Sequence, residues 1–230
     1  EEQTSWNITP WTSDWYEFQP WEEENGLDYR YQFQLRRYGG DLQGIIDKLD
    51  YLKDLGIDAI YLNPVFESPS SHKYGAKYFH HIDNNFGPNP SEDVKIWKSE
   101  NPEDPSTWQW TSADKLFLQL IQEIHSRNMR IIIDGVFNHV GIPFWALQDV
   151  KKNGEKSAYS DWFNIISYDN PDTPENEFDY EGWYGIKDLA EFKENMDGPL
   201  PEIKNHFFAI VQRWMDPNND GDPSDGIDGW

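Results

Sequence analysis

The sequence predicts an α/β protein in which helices cover parallel strands, and two observations support this fold class. A helical apolar pattern followed by a short apolar run occurs three times, at 41–65, 111–137 and 201–230. The runs are nearly continuous rather than alternating, which is typical of parallel strands covered on both faces. Long segments follow the first two strands, at 66–110 and 140–199. Doubly wound sheets and (β/α)8 barrels both fit the repeat, but long segments after strand ends favour the barrel, whose active site they form.

The first unit predicts a helix over 41–56 and a strand over 58–65. Asp41 can cap the amino terminus of the helix, and Gly56 follows the last periodic residue and can end it. Pro64 ends the strand because proline cannot donate to a β-ladder. The apolar residues recur at three- to four-residue spacing and share one helical face: Leu42, Ile45, Ile46, Leu49, Leu52 and Leu55.

The second and third units repeat this scheme. Thr111 or Ser112 can cap the second helix, and the strand that follows it is predicted over 130–137. The third helix is predicted over Pro201–Met215, and a strand begins after an acidic loop, at 226–230. The apolar faces of the two helices are Leu116, Leu120, Ile121 and Ile124 in the second, and Ile203, Phe207, Ile210, Val211 and Trp214 in the third.

The histidines outside the strands receive simpler interpretations. His125 and His206 fall within predicted helices and are expected on the protein surface. His80 and His81 are expected in a loop, where they could line a cleft.

Composition excludes several classes of partner. Lys and Arg number 19 against 42 Asp and Glu, a formal net charge of −23, which excludes nucleic acid and anionic lipid surfaces as partners. No apolar run is long enough to span a membrane. The absence of Cys excludes disulfides and thiolate metal sites but fits any compartment. An extracytoplasmic location, secreted or periplasmic, is favoured, and the oligomeric state stays open.

A group of polar residues closes the second predicted strand. Asp134, Asn138 and His139 follow its apolar run, so their side chains are expected at the carboxyl end of the sheet. An acid, an amide and an imidazole together could hydrogen-bond a polyhydroxyl ligand or support a cation. A purely structural network at the strand end is the alternative.

The stretch Asp-Gly-Val-Phe-Asn-His at 134–139 resembles the Asp-x-x-x-Asn-His signature of the third barrel strand in the α-amylase family of glycoside hydrolases. Further stretches resemble the same family in the same order, so the resemblance covers about 38–230. They match the first helix and second strand at 39–42 and 52–66, the following segment at 68–74 and 78–87, the neopullulanase and cyclomaltodextrinase branch at 137–141 and 148–163, and the entry into strand four at 225–230.

The resemblance implies a retaining glycoside hydrolase that acts on α-glucosidic bonds of starch-like glucans or maltooligosaccharides. It implies that residues 1–230 are part of a catalytic TIM (β/α)8 barrel, about strands 2 to 4, with 140–199 a long insertion after strand 3. The family's nucleophilic Asp lies in an Arg-x-Asp sequence just beyond the motif that matches 228–230. No catalytic acid is therefore expected within this chain, and residues 1–230 alone are not expected to hydrolyse glucans.

By the same resemblance, four residues are expected to bind the substrate. His139 matches a histidine that hydrogen-bonds the sugar in the cleaved subsite, and Tyr74 matches a tyrosine that stacks on that sugar. Asp134 matches a supporting acid, and His72, beside Tyr74, is placed to reach the substrate. The family's usual Lys-Tyr-Asp ends in Gly75 here, so one polar contact is expected to be missing.

Calcium is predicted as a cofactor at two places. Asn138 matches a calcium-binding position of many family members, but the motif expected beside it, at 189–193, has Lys193 where the family has Asn. Independently of the family, the loop 216–225 begins as an EF-hand loop does, with oxygen ligands at alternate positions and Gly at the sixth. Its candidate ligands are Asp216, Asn218, Asp220, Asp222 and Asp225. An acidic, solvated turn is the alternative.

Three other functions remain open. The chain could come from a transglycosylase of the same family, from a catalytically inactive carbohydrate-binding barrel, or from an unrelated α/β enzyme that uses Asp134 or His139 directly. An Arg-x-Asp after Trp230 would distinguish an enzyme of this family from a binding protein. A His139 buried away from the cleft would weaken the family-based interpretations.

Overall fold

In the computed structural model, the chain is described over 9–10, 12–14, 16–28, 30–32, 36, 38–170 and 172–230. None of the helices in these ranges combines the length and the apolar character that crossing a membrane requires. The helices are α1 (Pro20–Asn25), α2 (Leu42–Ile46), α3 (Leu49–Asp54), α4 (Pro90–Trp97), α5 (Ser112–Ser126), α6 (Trp145–Asn153) and α7 (Pro201–Met215). The strands are β1 (Ala59–Leu62), β2 (Arg130–Ile133), β3 (His139–Gly141), β4 (Ile165–Ser167), β5 (Asp179–Tyr180), β6 (Leu189–Glu191), β7 (Glu194–Asn195) and β8 (Gly198–Pro199).

A parallel pair of strands forms the centre of the fold. β1 pairs with β2 in register from Ala59 with Arg130 to Leu62 with Ile133. On the other side of β2, Ile132 forms a parallel bridge with Gly229, so the strand predicted at 226–230 is reduced to one bridge. The parallel, helix-connected arrangement is confirmed. Within the described ranges the strands form two-stranded sheets and no closed barrel.

The expectation that these strands are covered on both faces is wrong for β1. Its residues alternate between exposed and half-buried, and Tyr61 is 57% exposed. β2 is better covered, with Ile131 and Ile133 fully buried. The difference follows from position, because in the described part of the chain β1 pairs on one edge only, whereas β2 has neighbours on both.

The predicted helices form with one modification. α5 begins as expected, with Thr111 and Asp114 forming a reciprocal capping box, and α7 has the predicted bounds. The helix predicted over 41–56 is instead divided into α2 and α3. The division falls at Lys48, whose N–H bonds back only three residues to Ile45, a tighter turn than an α-helix makes.

An aromatic core lies between β2 and the helices α5 and α7. Trp214 of α7 is fully buried, and its indole N–H donates to the carbonyl of Phe79 at 2.9 Å. The expected surface position of His206 is wrong, because this residue is only 7% exposed and both its ring nitrogens lack a hydrogen-bond partner. His80 and His81 do lie in a loop, but at 1% and 0% exposure they line no open cleft.

The segment 140–199 adds small antiparallel sheets beside the central strands. β3 pairs with β6, with His139 opposite Glu191 and Gly141 opposite Leu189. β4 pairs with β5, and β7 with β8. The N–H of Phe192 donates to the carbonyl of Asn138 at 3.0 Å. The segment therefore folds back onto the residues that directly follow β2.

Candidate functional site

The polar residues predicted to act together do meet at the carboxyl end of β1 and β2. The N–H of Asp134 donates to the carbonyl of Leu62 at 2.9 Å, which continues the parallel ladder by one step. The Asp134 side chain accepts a hydrogen bond of 3.1 Å from the hydroxyl of Tyr74, in the loop after β1. Loops at this end of parallel strands are where α/β folds place their ligands.

Asp134 lies between two tyrosines. Its hydrogen bond with Tyr74 is the main reason that the pKa of this phenol is raised. Partial burial and the nearby Asp134 charge also raise the pKa of Tyr61 in β1. No motif singled out Tyr61 for a function, but alternation along β1 could have placed it beside Asp134. Both phenols stay protonated at neutral pH and can donate hydrogen bonds to a carboxylate or to a sugar hydroxyl.

His139 is oriented from both sides of its ring. Its Nε2 lies 3.0 Å from the carbonyl oxygen of Tyr74, and its Nδ1 lies 2.9 Å from Nδ2 of Asn138. A carbonyl only accepts, so Nε2 carries the proton and Nδ1 accepts from the amide. Burial lowers the pKa of His139, although the Tyr74 carbonyl opposes this effect. The ring is therefore a neutral, fixed donor.

The loop that presents Tyr74 is held by a buried ion pair. Lys73 has a left-handed backbone conformation, with φ of 63°, which is unfavourable for a residue with a side chain. Its ammonium group contacts the carboxylate of Asp83 and the carbonyl of Ser68, and both side chains of the pair are at most 5% exposed. This pair secures a turn that its own backbone disfavours and so fixes the position of Tyr74.

The backbone of this loop lies close to the backbone of β3 at Gly75 and Gly141. The N–H of Gly141 donates to the carbonyl of Ala76 at 2.9 Å. A Cβ at Gly141 would overlap the carbonyl group of Gly75. A Cβ at Gly75 would meet the Gly141 backbone at an acceptable 3.4 Å. The close backbone contact therefore requires glycine at 141 and does not by itself forbid the family's Asp at 75.

His72 lies on the outer side of the loop. It is exposed, its ring centroid is 5.6 Å from that of Tyr74, and its Nδ1 accepts from the Tyr74 N–H at 3.1 Å. A cavity of about 590 Å³ adjoins it, lined by apolar residues of α2, α3 and β1. His72 is thus placed next to open space, beside the Tyr74 ring.

Two aromatic residues of the long segment were not selected from the sequence. Trp183, 36% exposed, lies with its ring centroid 5.4 Å from that of His139. Tyr184 packs edge-on against Trp183 at 4.7 Å and is 87% exposed. Tyr184 also has a left-handed φ of 48°. Two adjacent aromatic residues followed by Gly185 within the long segment were the available sequence signal.

The predicted substrate residues therefore lie together, but they are not equally accessible. Tyr74 and Asp134 are half-buried and His72 is exposed, whereas His139 is only 2% exposed beneath Trp183. The cluster offers hydroxyl, carboxylate and imidazole groups beside flat aromatic rings, a combination that suits a sugar. Direct contact between His139 and a sugar stays a prediction.

The two predicted calcium positions lie at opposite ends of β2. Asn138 lies beyond its carboxyl end, next to β6. This strand belongs to the motif at 189–193, in which Lys193 stands where the family has Asn. Asp222 instead lines a cavity with Arg130, the first residue of β2, and with Asp228. The side chain of Lys193 points to Asp161, at 3.5 Å. Asn138 therefore does not share a site with the loop 216–225.

The acidic loop uses most of its side chains to form turns. Carboxylate or amide oxygens accept backbone N–H bonds from residues two to five positions later, at 2.8–3.1 Å: Asp216, Asn218, Asp220 and Asp222. One oxygen of Asp225 is buried without a hydrogen-bond partner. Across the described ranges, the one group of three His, Asp or Glu residues with ligand atoms within 4.8 Å of one another lies elsewhere, at His80, His81 and Glu100. Calcium in this loop stays a prediction.

Comparison with known protein families gives a match to the alpha amylase catalytic domain, over residues 10–99 and 109–229. The intracellular maltogenic amylase of Bacillus subtilis is 37% identical over 193 residues, which are 84% of this chain and 26% of that protein. The cyclomaltodextrinase of Thermoanaerobacter pseudethanolicus is 35% identical over 211 residues, 92% of this chain and 29% of that protein. The chain thus spans roughly a quarter of the length of these relatives.

Solved structures give the same result. The cyclic alpha-maltosyl-(1→6)-maltose hydrolase from Arthrobacter globiformis, in complex with maltose, superposes with a TM-score of 0.61 at 32% identity, over 84% of this chain and 35% of that chain. The debranching enzyme of Nostoc punctiforme, soaked with acarbose, superposes with a TM-score of 0.62 at 30% identity, over 92% of this chain and 36% of that chain.

Proposed function

This chain belongs to the alpha-amylase catalytic-domain family, and we propose that the protein carrying it is a retaining glycoside hydrolase acting on α-glucosidic bonds of starch-like glucans or maltooligosaccharides. The observation that carries the proposal is the joint placement of Tyr74, Asp134 and His139 at the carboxyl end of two parallel strands. The names of the relatives, a maltogenic amylase and a cyclomaltodextrinase, support the substrate class.

We propose that β1 and β2 are the second and third strands of a (β/α)8 barrel. Residues 226–230 then lead into the fourth strand, and 140–199 is the insertion after the third. The parallel order of β1, β2 and the bridge at Gly229 supports this assignment. The fold-back of the segment 140–199 onto Asn138 supports it as well, because barrel active sites are formed by the segments after strand ends.

In this proposal the residues of the chain bind and orient the sugar. The Tyr74 ring offers a face to the sugar while its hydroxyl stays bonded to Asp134. His139, held in one tautomer by Asn138 and by the Tyr74 carbonyl, places a neutral imidazole ring beside the Tyr74 loop. Retaining chemistry needs two carboxyl groups about 5 Å apart, one as nucleophile and one as acid/base. We assign both to sequence outside residues 1–230, the nucleophile to an Arg-x-Asp that follows Trp230.

We also propose that the loop 216–225 binds Ca²⁺. The fit rests on its oxygen donors, which suit a hard cation, and on the buried, unpartnered oxygen of Asp225. Asp216, Asn218, Asp220, Asp222 and Asp225 would hold the ion. When bound, the ion would offset the repulsion among their carboxylates and stabilise the segment between α7 and Ile227. Asn138 is a separate candidate at the other end of β2.

The experiment is an assay of the natural full-length polypeptide that carries this sequence. Soluble starch, maltooligosaccharides, a cyclodextrin and pullulan are incubated with it, and the products are separated and their anomeric form is read by NMR. We expect new reducing ends in the α-configuration, with Tyr74→Ala and His139→Ala reducing kcat/KM at least about 100-fold, as loss of a positioning contact does.

Each other outcome corresponds to one of the alternatives. Longer oligosaccharides in place of hydrolysis products would assign the protein to the transglycosylases. Glucan binding without turnover would assign it to inactive carbohydrate-binding barrels. Full activity in both variants would contradict the placement of the sugar at Tyr74 and His139.

A further inference from the structure

A second buried cluster contains none of the residues assigned to the glucan site. His80, His81 and Glu100 each offer one ligand atom, and these atoms lie within 4.8 Å of one another. All three side chains are at most 1% exposed. Two imidazoles and one carboxylate that meet in the protein interior call for a physical explanation, because buried ionisable groups are costly unless they are paired or coordinate a metal.

The carboxylate of Glu100 is oriented by the backbone. One oxygen, Oε1, accepts the N–H of Gln109. The other, Oε2, faces the two histidines, at 2.7 Å from Nε2 of His81 and 3.7 Å from Nε2 of His80. Glu100 is therefore anchored through one oxygen and presents the other to both imidazoles.

The ring of His81 is oriented from its far side. Its Nδ1 lies 2.8 Å from Oδ2 of Asp114 at the start of α5. Asp114 is itself fixed, because it accepts the backbone N–H groups of Ile82 and Thr111 at 2.8 and 3.0 Å. A histidine that gives one N–H to a carboxylate, with its other nitrogen facing a second ligand, has the arrangement of metal-binding histidines.

His80 has the fewest hydrogen bonds of the three residues in this cluster. Its ring stacks on Trp108 at 4.3 Å, nearly parallel, which fixes its plane. Its Nδ1 is buried without a hydrogen-bond partner, and its Nε2 is 3.7 Å from Glu100, beyond hydrogen-bond range. Nδ1 of this fully buried ring is therefore unsatisfied, and its Nε2 faces the Glu100 carboxylate at more than hydrogen-bond distance.

We propose that Nε2 of His80, Nε2 of His81 and Oε2 of Glu100 bind a structural Zn²⁺ ion. Two histidines and one glutamate form a ligand set that zinc takes in proteins, with a fourth position for water. Imidazole is a poor ligand for Ca²⁺ and Mg²⁺, which select oxygen. The ion therefore differs in chemistry from the one proposed for the loop 216–225.

Two of the three separations between the proposed ligand atoms lie close to the geometry of a zinc site. Zinc bonds of about 2 Å at tetrahedral angles place ligand atoms about 3.3 Å apart. The two separations from Glu100 Oε2, 2.7 and 3.7 Å, lie on either side of this value. Zinc would replace a shared proton between His81 and Glu100 and would bring Nε2 of His80 closer to the Glu100 carboxylate.

The role of this ion follows from its position. His80 and His81 precede the buried Ile82, Glu100 follows α4, and Asp114 begins α5. The ion would thus cross-link two parts of the segment 66–110 and tie them to the core. The three ligands are too buried to admit a glucan, so we assign the ion to stability and not to chemistry.

The test measures metal content in the natural full-length polypeptide, purified without chelator. Elemental analysis is expected to give about one zinc per chain. Removal of zinc by a chelator should lower the melting midpoint by at least a few degrees, and re-addition of Zn²⁺ should restore it. Because this comparison uses the unaltered protein, it does not depend on whether a variant folds.

Variants then locate the ion. Glu100→Gln and His81→Ala are expected to lose the zinc, whereas the matched controls Glu92→Gln, on the surface of α4, and His125→Ala, in α5, should retain it. Protein that contains no zinc and whose melting midpoint does not respond to Zn²⁺ would overturn the proposal. The cluster would then be a metal-free network, with a protonated His81 between Glu100 and Asp114. Zinc retained in Glu100→Gln would overturn the assignment of the ligands.

Discussion

The Nε2 of His139 donates a hydrogen bond of 3.0 Å to the backbone carbonyl of Tyr74, across 65 residues of sequence. The bond joins the first residue of β3 to the loop after β1. This bond sets the tautomer of His139 and holds the Tyr74 loop in its position. A change in either segment is therefore expected to affect both residues. The predictions below test what surrounds this bond.

Trp183 should contribute to glucan binding because it covers His139 and remains 36% exposed. In the full-length protein, Trp183→Ala is expected to raise KM for a maltooligosaccharide about 2- to 10-fold, since an aromatic stacking contact contributes about 0.5–1.5 kcal/mol. Steady-state kinetics measure the change. The control is Tyr51→Ala, which removes a more exposed ring, 63% against 36%, from α3. An unchanged KM in the Trp183 variant would show that Trp183 does not contact the bound glucan.

Lys73→Met should destabilise the fold by about 3–5 kcal/mol, because it leaves the buried Asp83 carboxylate without its partner. Urea unfolding measures the loss. The control is Lys95→Met, which breaks a pair with Glu92 in which both side chains are at least 66% exposed and should change stability by less than about 1 kcal/mol. The double variant Lys73→Met/Asp83→Asn should lose less than the two single variants combined. Equal losses in the Lys73 and Lys95 variants would contradict the proposed role of burial.

Gly141→Ala should displace the Tyr74 loop, because the added methyl group would overlap the carbonyl of Gly75. We expect a lower melting midpoint and a loss of activity greater than the loss of folded protein explains. Gly40→Ala is the matched control, since a Cβ there meets no atom within 4 Å. If both variants behave alike, the close contact between the loop and β3 does not determine the site.

His206 should make stability depend on pH. Burial lowers its pKa from 6.5 to about 4, so between these values the unfolded chain binds a proton that the folded chain does not. Stability from this group is therefore present above pH 6.5 and is lost as pH falls toward 4. The loss at pH 5 is about 2 kcal/mol.

His206→Phe should remove this part of the pH dependence. The ring nitrogens have no hydrogen-bond partner to lose, and the surrounding rings of Trp108, Phe144 and Trp162 suit an apolar side chain. Urea unfolding at pH 7 and pH 5 measures the effect, and the variant should lose less stability between the two than the parent protein. An identical loss in both proteins would show that His206 is protonated in the folded state.

Calcium removal should lower the melting midpoint if the loop 216–225 binds the ion. Saturation at about 100 times the dissociation constant contributes about 2.7 kcal/mol. Asp220→Asn combined with Asp222→Asn should abolish the response to Ca²⁺, whereas Asp54→Asn, on the exposed side of α3, should retain it. If Ca²⁺ does not change the melting midpoint of the parent protein, the loop 216–225 is a solvated turn that binds no calcium.

The sequence by itself determined the features that depend on neighbouring residues. Apolar periodicity and capping identified α5 and α7, and the apolar runs identified β1 and β2. The position of Asp134 at the end of its strand followed from the same pattern. The order of motifs predicted the family and brought Tyr74 and His139 to one site. These predictions succeed because a helix or strand presents its residues with a regular period.

Only the tertiary structure decided which distant segments meet and which polar groups they bury. His206 follows Ile203 by three residues and precedes Ile210 by four, so it lay on the apolar face, but its burial became certain only with the aromatic rings around it. The ion pair of Lys73 with Asp83, the cover of Trp183 over His139, and the meeting of His81 with Glu100 and Asp114 all join different segments. The physical reason is that burial and pairing depend on how long insertions fold back onto the core, and no local period encodes that path.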